Sequence, residues 1–185
     1  MKTVNDACTV VPTETDILQT GKDKWEPPPN NRVKLNFDGA AGTKGYASSA
    51  VARDSEPGFK GCQSKVFSFT SAVEVEAHGA NLAVNLAIRK GLKDIIIERD
   101  SLIVINSFKY MHYQYPWRIH NSITRIRDNL YNFNTVEFQL IHNKANNVAH
   151  QLVAYVVTNQ SSGLWLTSPP PCISQLIETE ATFSV

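Results

Sequence analysis

The first patterned stretch of the chain alternates hydrophobic and polar residues. Residues 33–38 place three hydrophobic side chains on one face, which predicts a β-strand, and Gly39 is expected to end it. Residues 45–53 and 62–70 are two further candidate strands, separated by a turn at residues 56–58. Three consecutive strands with short connections favour an antiparallel meander.

The hydrophobic period then changes from that of a strand to that of a helix. Residues 71–90 follow the helical period, and Gly91 suits the position just after a helix end. Glu76 shares one helical stripe with three alanines, whose small side chains let a helix lie close to a sheet. We therefore expect Glu76 to point toward the sheet rather than into solvent.

The second half of the chain alternates strands with helices. Residues 94–99 contain three consecutive isoleucines, which is typical of a parallel strand buried on both faces. The later pattern predicts a short helix from residue 100 or 101 to about 109, a helix at 116–129, a strand at 135–142 and a helix at 146–159. This order predicts an α/β fold with a five-stranded mixed sheet, three antiparallel strands followed by parallel strands, and helices on both faces.

The chain divides into three parts by its pattern. Residues 1–24 lack periodicity and read as a flexible leader, residues 25–160 form the domain, and residues 161–185 are a C-terminal tail that could pack back on it. Of the 185 residues, 42% are hydrophobic and 19% are charged, which is ordinary for a globular protein and excludes disorder throughout.

Charge and cysteines narrow the function classes only slightly. A net charge of +1 neither supports nor excludes a nucleic-acid partner. Cys8, Cys62 and Cys172 are odd in number and widely spaced, which indicates neither a zinc site nor a disulfide framework. No apolar run has the length of a signal peptide or a membrane span, so we expect an intracellular protein, nuclear or cytoplasmic, with no membrane partner.

Three carboxylates occupy informative positions. Asp38 and Asp100 each follow a predicted strand, and Glu76 enters from the helix that packs over them. Carboxylates brought together repel one another unless cations intervene, and hard divalent ions with oxygen ligands meet that need. Such ions suit phosphodiester cleavage. Each residue also has a purely structural interpretation: Asp38 could start a turn, Glu76 could answer the helix dipole, and Asp100 could cap a helix.

Four short motifs, in order along the chain, resemble the type 1 ribonuclease H superfamily, in particular its plant retroelement-derived, reverse-transcriptase-like branch. They are Val33-Lys34-Leu35-Asn36-Phe37-Asp38-Gly39-Ala40, Val75-Glu76-Ala77, Ile97-Glu98-Arg99-Asp100-Ser101 and Asn146-Asn147-Val148-Ala149-His150-Gln151-Leu152. The borders also fit, with Trp25 and prolines 27–29 before the domain and Trp165 with prolines 169–170 after it. The resemblance covers about residues 25–177 and implies a ribonuclease H-like fold.

The resemblance implies an endonuclease that cuts the RNA strand of an RNA–DNA hybrid with Mg²⁺ or Mn²⁺. Asp38, Glu76 and Asp100 would be three of its four catalytic, metal-binding carboxylates, and His150 stands at the fourth position. Imidazole brings no negative charge and suits Mn²⁺ better than Mg²⁺, so His150 should weaken the second metal site. The hypothesis requires a single pocket negative enough to capture cations, and an arginine locked onto these carboxylates would contradict it.

Several residues near the predicted site are candidates for contacts with the hybrid. The substrate-binding candidates are Asn36, Gly39, Ala40, Ser101, Lys144 and Asn146. Asn143 stands where this branch usually has arginine, which puts the grip on substrate in doubt; Lys144 could substitute, and His142 is either a proton shuttle or a plain loop residue. Aromatic and basic residues interleave at 109–118, a pattern that fits either nucleic-acid contact or core packing.

Two other functions compete with the endonuclease. A catalytically inactive, retroelement-derived nucleic-acid-binding or regulatory module would explain His150 and Asn143, whereas the three intact carboxylates argue against it. A proofreading-type exonuclease of the same architecture would carry Glu two residues after the first Asp, where this chain has Ala40, so the sequence disfavours that alternative.

Overall fold

A computed structural model describes residues 23–55, 58–68, 70–110 and 112–182. Its strands are β1 (Val33–Gly42), β2 (Gly45–Arg53), β3 (Phe59–Phe67), β4 (Asp94–Arg99), β5 (Thr135–Leu140) and β6 (Gly163–Trp165). Its α-helices are α1 (Ala72–Arg89), α2 (Leu102–Lys109), α3 (His120–Asn129), α4 (Asn147–Asn159) and α5 (Pro171–Thr182). Most of the predicted leader, with Cys8, and the centre of the predicted turn at 56–58 lie outside the described residues.

The strands form one mixed sheet in the order β5-β4-β1-β2-β3-β6. β1, β2 and β3 form the expected antiparallel meander, and β4 and β5 add in parallel on the other side of β1. The α/β prediction is confirmed, but the count of five strands is wrong within the described residues, because β6 pairs antiparallel with β3 as a sixth strand. Its three residues are too few to display an alternating pattern.

Helices cover both faces of the sheet. Phe37 and Ile97 pack under α1 on one face. Val51 and Cys62 pack under α4 and α5 on the other, with Ile173 of α5 fully buried. Within the described residues, no helix is both long enough and apolar enough to span a bilayer.

Helix α1 begins where the sequence predicts. Ser71 donates its backbone N–H and its hydroxyl to the Glu74 carboxylate, at 2.9 and 2.6 Å. The hydrogen bond from the Ser71 side chain is the largest factor that lowers the pKa of Glu74. At the other end Gly91 has a positive φ of 65°, a conformation that costs glycine little. The start of α1 at Ala72 is therefore fixed four residues before Glu76.

Both ends of the described chain pack on the α4 face through Arg53. Its guanidinium lies 3.8 Å from the centre of the Trp25 ring and donates hydrogen bonds to Glu180 of α5 and to Asn36. Burial lowers the pKa of Arg53, an effect that Glu180 opposes. The segment expected as a C-terminal tail thus contributes a strand and a packed helix.

Three strands differ in their bounds from those predicted. β1 continues past Gly39 to Gly42, because the pairing with β2 runs on to Gly42 and Gly45. β3 spans residues 59–67 rather than 62–70, and β5 stops at Leu140 instead of residue 142.

Candidate active site at the ends of β1 and β4

Asp38 and Asp100 lie at the same level of the sheet. β1 and β4 are parallel neighbours, and Asn36 is paired with Glu98, so each aspartate lies two residues beyond this pair. The β1–β4 pairing ends there, and the two strands leave an open edge at which both carboxylates lie. Asp38 stays in the β1–β2 ladder opposite Ser49 and is 4% exposed.

Two glycines let α1 approach β1 closely enough to place Glu76 beside this edge. A Cβ atom on Gly39 would lie 2.7 Å from the backbone nitrogen of Glu76, and one on Gly79 would lie 2.9 Å from the Phe37 ring. Both distances are shorter than real Cβ contacts allow. Helix and strand therefore touch backbone to backbone where the acidic residues meet.

Two adjacent buried serines of β2 fix the two helices that carry the remaining site residues. Ser48 donates its hydroxyl to the carbonyl oxygen of Val75 in α1, at 2.5 Å. Ser49 donates to the carbonyl oxygen of Ala149 in α4, at 2.8 Å. Val75 precedes Glu76 and Ala149 precedes His150, so each serine anchors the residue before one site residue.

Arg99 lies among the three carboxylates. Its Nη1 atom is 2.5 Å from Asp38 Oδ1 and 2.6 Å from Asp100 Oδ1, and its Nη2 atom is 3.4 Å from Glu76 Oε1. The Arg99 side chain is 6% exposed, against 26% for Glu76 and 27% for Asp100. The structure therefore brings all three predicted acidic residues to one point, but it pairs them with an arginine, so the expectation of an unpaired, strongly negative pocket is wrong. The nuclease hypothesis consequently requires that Arg99 leave the carboxylates when a metal ion binds.

Arg99 balances the charge of the carboxylates, but its N–H groups are poorly aligned with their oxygens. Asp100 Oδ1 and Arg99 Nε are both buried without a hydrogen-bond partner among the described residues. Among the described residues, the Arg99 side chain makes one hydrogen bond, from Nη1 to the carbonyl oxygen of Phe37 at 3.4 Å. A single nitrogen with two hydrogens faces three acceptors, so it cannot serve them all well.

His150 completes the cluster from α4. Its Nδ1 atom shares a hydrogen bond of 2.9 Å with Asp38 Oδ2, while its side chain is 65% exposed. The second carboxylate oxygen of Asp38, Oδ1, also accepts the backbone N–H of Gly39 at 2.7 Å. Asp38 is thus held by Gly39, Arg99 and His150 together.

Two of the predicted substrate-binding residues are buried and hydrogen-bonded within the protein. Asn36 is fully buried and uses its side chain on Glu98 and Arg53, so it faces the core network instead of a ligand. Asn146 is 1% exposed and donates to the carbonyl oxygen of Phe37 at 2.9 Å. Asn146 thereby holds the backbone immediately before Asp38.

The remaining candidates divide into residues beside the carboxylates and residues paired elsewhere. Gly39, Ala40 and Ser101 are partly exposed next to Asp38 and Asp100. By contrast, Lys144 lies 3.3 Å from Asp23 on the surface. His142 lies at the same distance from the other oxygen of Asp23. The substrate roles of Gly39, Ala40, Ser101 and Lys144 stay predictions.

The aromatic and basic segment at residues 109–118 contains one aromatic residue packed on the core and one exposed to solvent. Tyr115 packs against a small core cluster, and its hydroxyl is 3.2 Å from His120 Nδ1. Trp117 is 79% exposed, with the Arg118 guanidinium 5.3 Å from its ring centre. Trp117 therefore offers a flat aromatic surface to solvent.

The oxygen atoms of Asp38, Glu76 and Asp100 are suitable ligands for a divalent cation, but the Arg99 guanidinium occupies the space between them. Three carboxylates from β1, α1 and the end of β4 already surround one cationic group, and oxygen ligands suit Mg²⁺ and Mn²⁺. As the side chains stand, no three His, Cys, Asp or Glu residues in the described ranges are grouped to hold a metal ion. A divalent ion would therefore have to replace the guanidinium.

Comparison with known proteins identifies the family. The model of the family described as reverse transcriptase-like matches residues 36–156, which include all four residues of the cluster. The chain belongs to the reverse transcriptase-like family. A comparison with curated proteins gives no significant match.

Solved structures show that this family member has the RNase H fold. RNase H1 from the halophilic archaeon Halobacterium salinarum NRC-1 superposes with a TM-score of 0.64 at 19% identity, covering 70% of this chain and 99% of that one. The N-terminal RNase H domain of rv2228c from Mycobacterium tuberculosis gives 0.63 at 12%, covering 67% and 97%. LC11-RNase H1 in complex with RNA/DNA hybrid gives 0.62 at 15%, covering 69% and 98%.

Sequence reasoning missed three site features of this family member. Arg99 follows Ile97 by two residues, so the strand period could have placed it on the α1 face. Ser48 and Ser49 interrupt an otherwise apolar strand, which is a signal for buried hydroxyls with partners. Only the tertiary contacts reveal which helix each hydroxyl holds.

Proposed function

We propose that this chain hydrolyses the RNA strand of RNA–DNA hybrids at the cluster of Asp38, Glu76, Asp100 and His150. The observation that carries the proposal is the convergence of three carboxylates, from β1, α1 and the end of β4, around one cationic group. These carboxylates supply the oxygen ligands that a hard divalent ion prefers, at the carboxyl ends of parallel strands where α/β sheets form ligand sites. The RNase H fold and the structure of LC11-RNase H1 with RNA/DNA hybrid support the same substrate class.

Asp38, Glu76 and Asp100 would hold the divalent ion, with the imidazole of His150 as a nitrogen ligand beside Asp38. When bound, such an ion stabilises the negative charge that develops on a phosphate during cleavage of its P–O bond. The chain's own part is orientation: the Gly39 N–H and His150 fix the two oxygens of Asp38. Ser48 fixes the turn of α1 that carries Glu76.

Recognition of the hybrid would use the partly exposed groups around this cluster. A hybrid presents 2′-hydroxyls in a shallow minor groove, which small polar groups can read. Ser101 lies next to Asp100 and is partly exposed. Trp117 and Arg118 supply an exposed ring and a cation for contacts with bases or phosphates.

A cleavage assay tests the proposal. A hybrid with a labelled RNA strand is incubated with the full chain in Mn²⁺, in Mg²⁺ and in EDTA. We expect cleavage of the RNA strand with Mn²⁺, slower cleavage with Mg²⁺, and none in EDTA. Asp38→Asn and Asp100→Asn should abolish it, whereas Asp94→Asn, at the opposite end of β4 and bound to Thr135, should not. No cleavage by the unaltered chain with either metal would overturn the proposal.

One observation favours a second candidate, a hybrid-binding module without turnover. Arg99 and His150 already engage both oxygens of Asp38. Carboxylates paired in this way do not need a metal ion for charge balance, so this function would consist of hybrid binding alone. Retained hybrid binding in EDTA, together with no cleavage in Mn²⁺, would favour this function over the hydrolase.

A further inference from the structure

Arg99 is a buried charge whose contacts with its partners are mostly ionic rather than directed hydrogen bonds. Its Nη1 atom lies within 2.6 Å of two different carboxylates, yet the one side-chain hydrogen bond found for it among the described residues is the 3.4 Å bond to the carbonyl oxygen of Phe37. Arg53 in the same sheet is also buried, but it donates hydrogen bonds to Glu180 at 2.5 Å and to Asn36 at 3.1 Å. Arg53 is therefore held by two side-chain hydrogen bonds, whereas Arg99 is surrounded by three carboxylates with which it makes ion pairs.

We propose that Arg99 is an exchangeable counter-ion that competes with divalent cations for the carboxylate cluster. Without metal, its guanidinium holds Asp38, Glu76 and Asp100 together; when Mg²⁺ or Mn²⁺ binds, the guanidinium leaves. This inference concerns the site of the proposed function and rests on it.

Charge balance makes the exchange favourable in principle. One guanidinium brings a single positive charge to three carboxylates, whereas a divalent ion brings two charges to the same oxygens. A spherical ion also accepts oxygens from several directions, while a planar guanidinium has fixed N–H directions. A divalent ion can therefore compete with Arg99 once the three carboxylates close around it.

One side of the cluster around Arg99 is exposed to solvent. Asp38 is buried, but Glu76 and Asp100 are each about a quarter exposed, so the cluster opens to solvent on their side. The solvent beside Glu76 and Asp100 is therefore the direction in which the Arg99 guanidinium would leave. On that side its guanidinium would face an approaching phosphate backbone, to which arginine binds well.

The exchange implies that Arg99 sets the concentration of divalent ion above which the site becomes active. At low divalent-ion concentration Arg99 occupies the carboxylates and the chain does not cut hybrid. At higher concentration the carboxylates take up metal, and the arginine is released.

Metal binding, measured apart from activity, tests the exchange. Mn²⁺ affinity is measured by calorimetry for the unaltered chain, for Arg99→Ser, and for Arg99→Gln, which fills more of the space in case the smaller residue impairs folding. Both variants should bind Mn²⁺ about tenfold more tightly or better, the scale on which neighbouring groups alter metal affinity. Arg32→Ser is the control, because Arg32 pairs with Glu137 far from the cluster, and it should leave the affinity unchanged.

A second measurement uses the unaltered chain. In a nitrogen-15 NMR titration with Mg²⁺, the Nε–H resonance of Arg99 should move and that of Arg53 should not. Unchanged Mn²⁺ affinity in both Arg99 variants, or an unmoved Arg99 resonance at saturating Mg²⁺, would overturn the inference. The hydrolase proposal fails separately: tighter metal binding without any hybrid cleavage would uphold the exchange and reject the hydrolase.

Discussion

The backbone nitrogen of Glu76 lies 2.7 Å from the position that a Cβ atom of Gly39 would occupy. This close approach of α1 to β1 brings the carboxylate of the helix next to that of the strand. Because the obstacle would be backbone, a side chain at position 39 cannot be accommodated by a rotamer change. The geometry of the acidic cluster thus depends on a missing methyl group.

Gly39→Ala should therefore harm both stability and the site. We expect the free energy of unfolding to fall by about 1–3 kcal/mol, as for overpacked cores, and hybrid cleavage to fall with it. Gly42→Ala is the matched control in the same strand, because its Cβ would meet nothing within 4 Å. Urea denaturation and the cleavage assay measure the two effects. Equal stability of the two variants would contradict the close-approach argument.

The serine pair of β2 gives a second matched comparison. Ser48→Ala and Ser49→Ala each remove one buried hydrogen bond and should each cost about 1 kcal/mol of stability. Only Ser48 anchors the helix turn that carries Glu76. Ser48→Ala should therefore weaken Mn²⁺ binding by about tenfold, and Ser49→Ala should weaken it less. Calorimetry would refute this division of roles if the two variants lost metal affinity equally.

Removal of Arg99 should destabilise the metal-free chain. Arg99→Ser leaves a buried Asp38 without its cation, and loss of one partner of a buried ion pair costs about 3–5 kcal/mol. Guanidinium chloride denaturation in EDTA measures the loss. Addition of Mn²⁺ should restore most of the lost stability, because the ion then takes over the role of counter-charge. A variant as stable as the unaltered chain in EDTA would contradict the pairing.

His150→Asp should change the metal preference. A fourth carboxylate beside Asp38 adds an anionic ligand suited to Mg²⁺, so Mg²⁺-dependent cleavage should rise by about tenfold and the advantage of Mn²⁺ should shrink. His150→Ala is the control, since it removes the imidazole without adding charge, and it should not raise activity with Mg²⁺. The ratio of cleavage rates in the two metals is the measurement. A ratio unchanged by the aspartate would argue that the imidazole is not what limits the site.

Local pattern was enough to predict the elements that carry the site. β2 and β4 begin and end where the sequence predicts, since strand alternation and the isoleucine run depend only on which faces are buried. The start of α1 was predictable because its capping residues are local. Asp38, Glu76 and Asp100 could be predicted to converge because parallel strands end at one edge of a sheet.

Partners set by tertiary packing were not predictable in the same way. Asn36 has the same sequence position relative to Asp38 whether it faces a ligand or the core, and only the network with Glu98 and Arg53 decides that. Arg99 belongs to one of the family motifs in the sequence, but its ion pairs could not be predicted because they depend on the distance between β4 and α1. Such distances come from packing rather than from the order of residues.

A crystal soaked in Mn²⁺ tests the central claim most directly. The account predicts an anomalous scattering peak between the carboxylates of Asp38, Glu76 and Asp100, with the Arg99 guanidinium moved toward solvent. A guanidinium still seated among the three carboxylates at saturating Mn²⁺, with no peak beside it, would contradict the account.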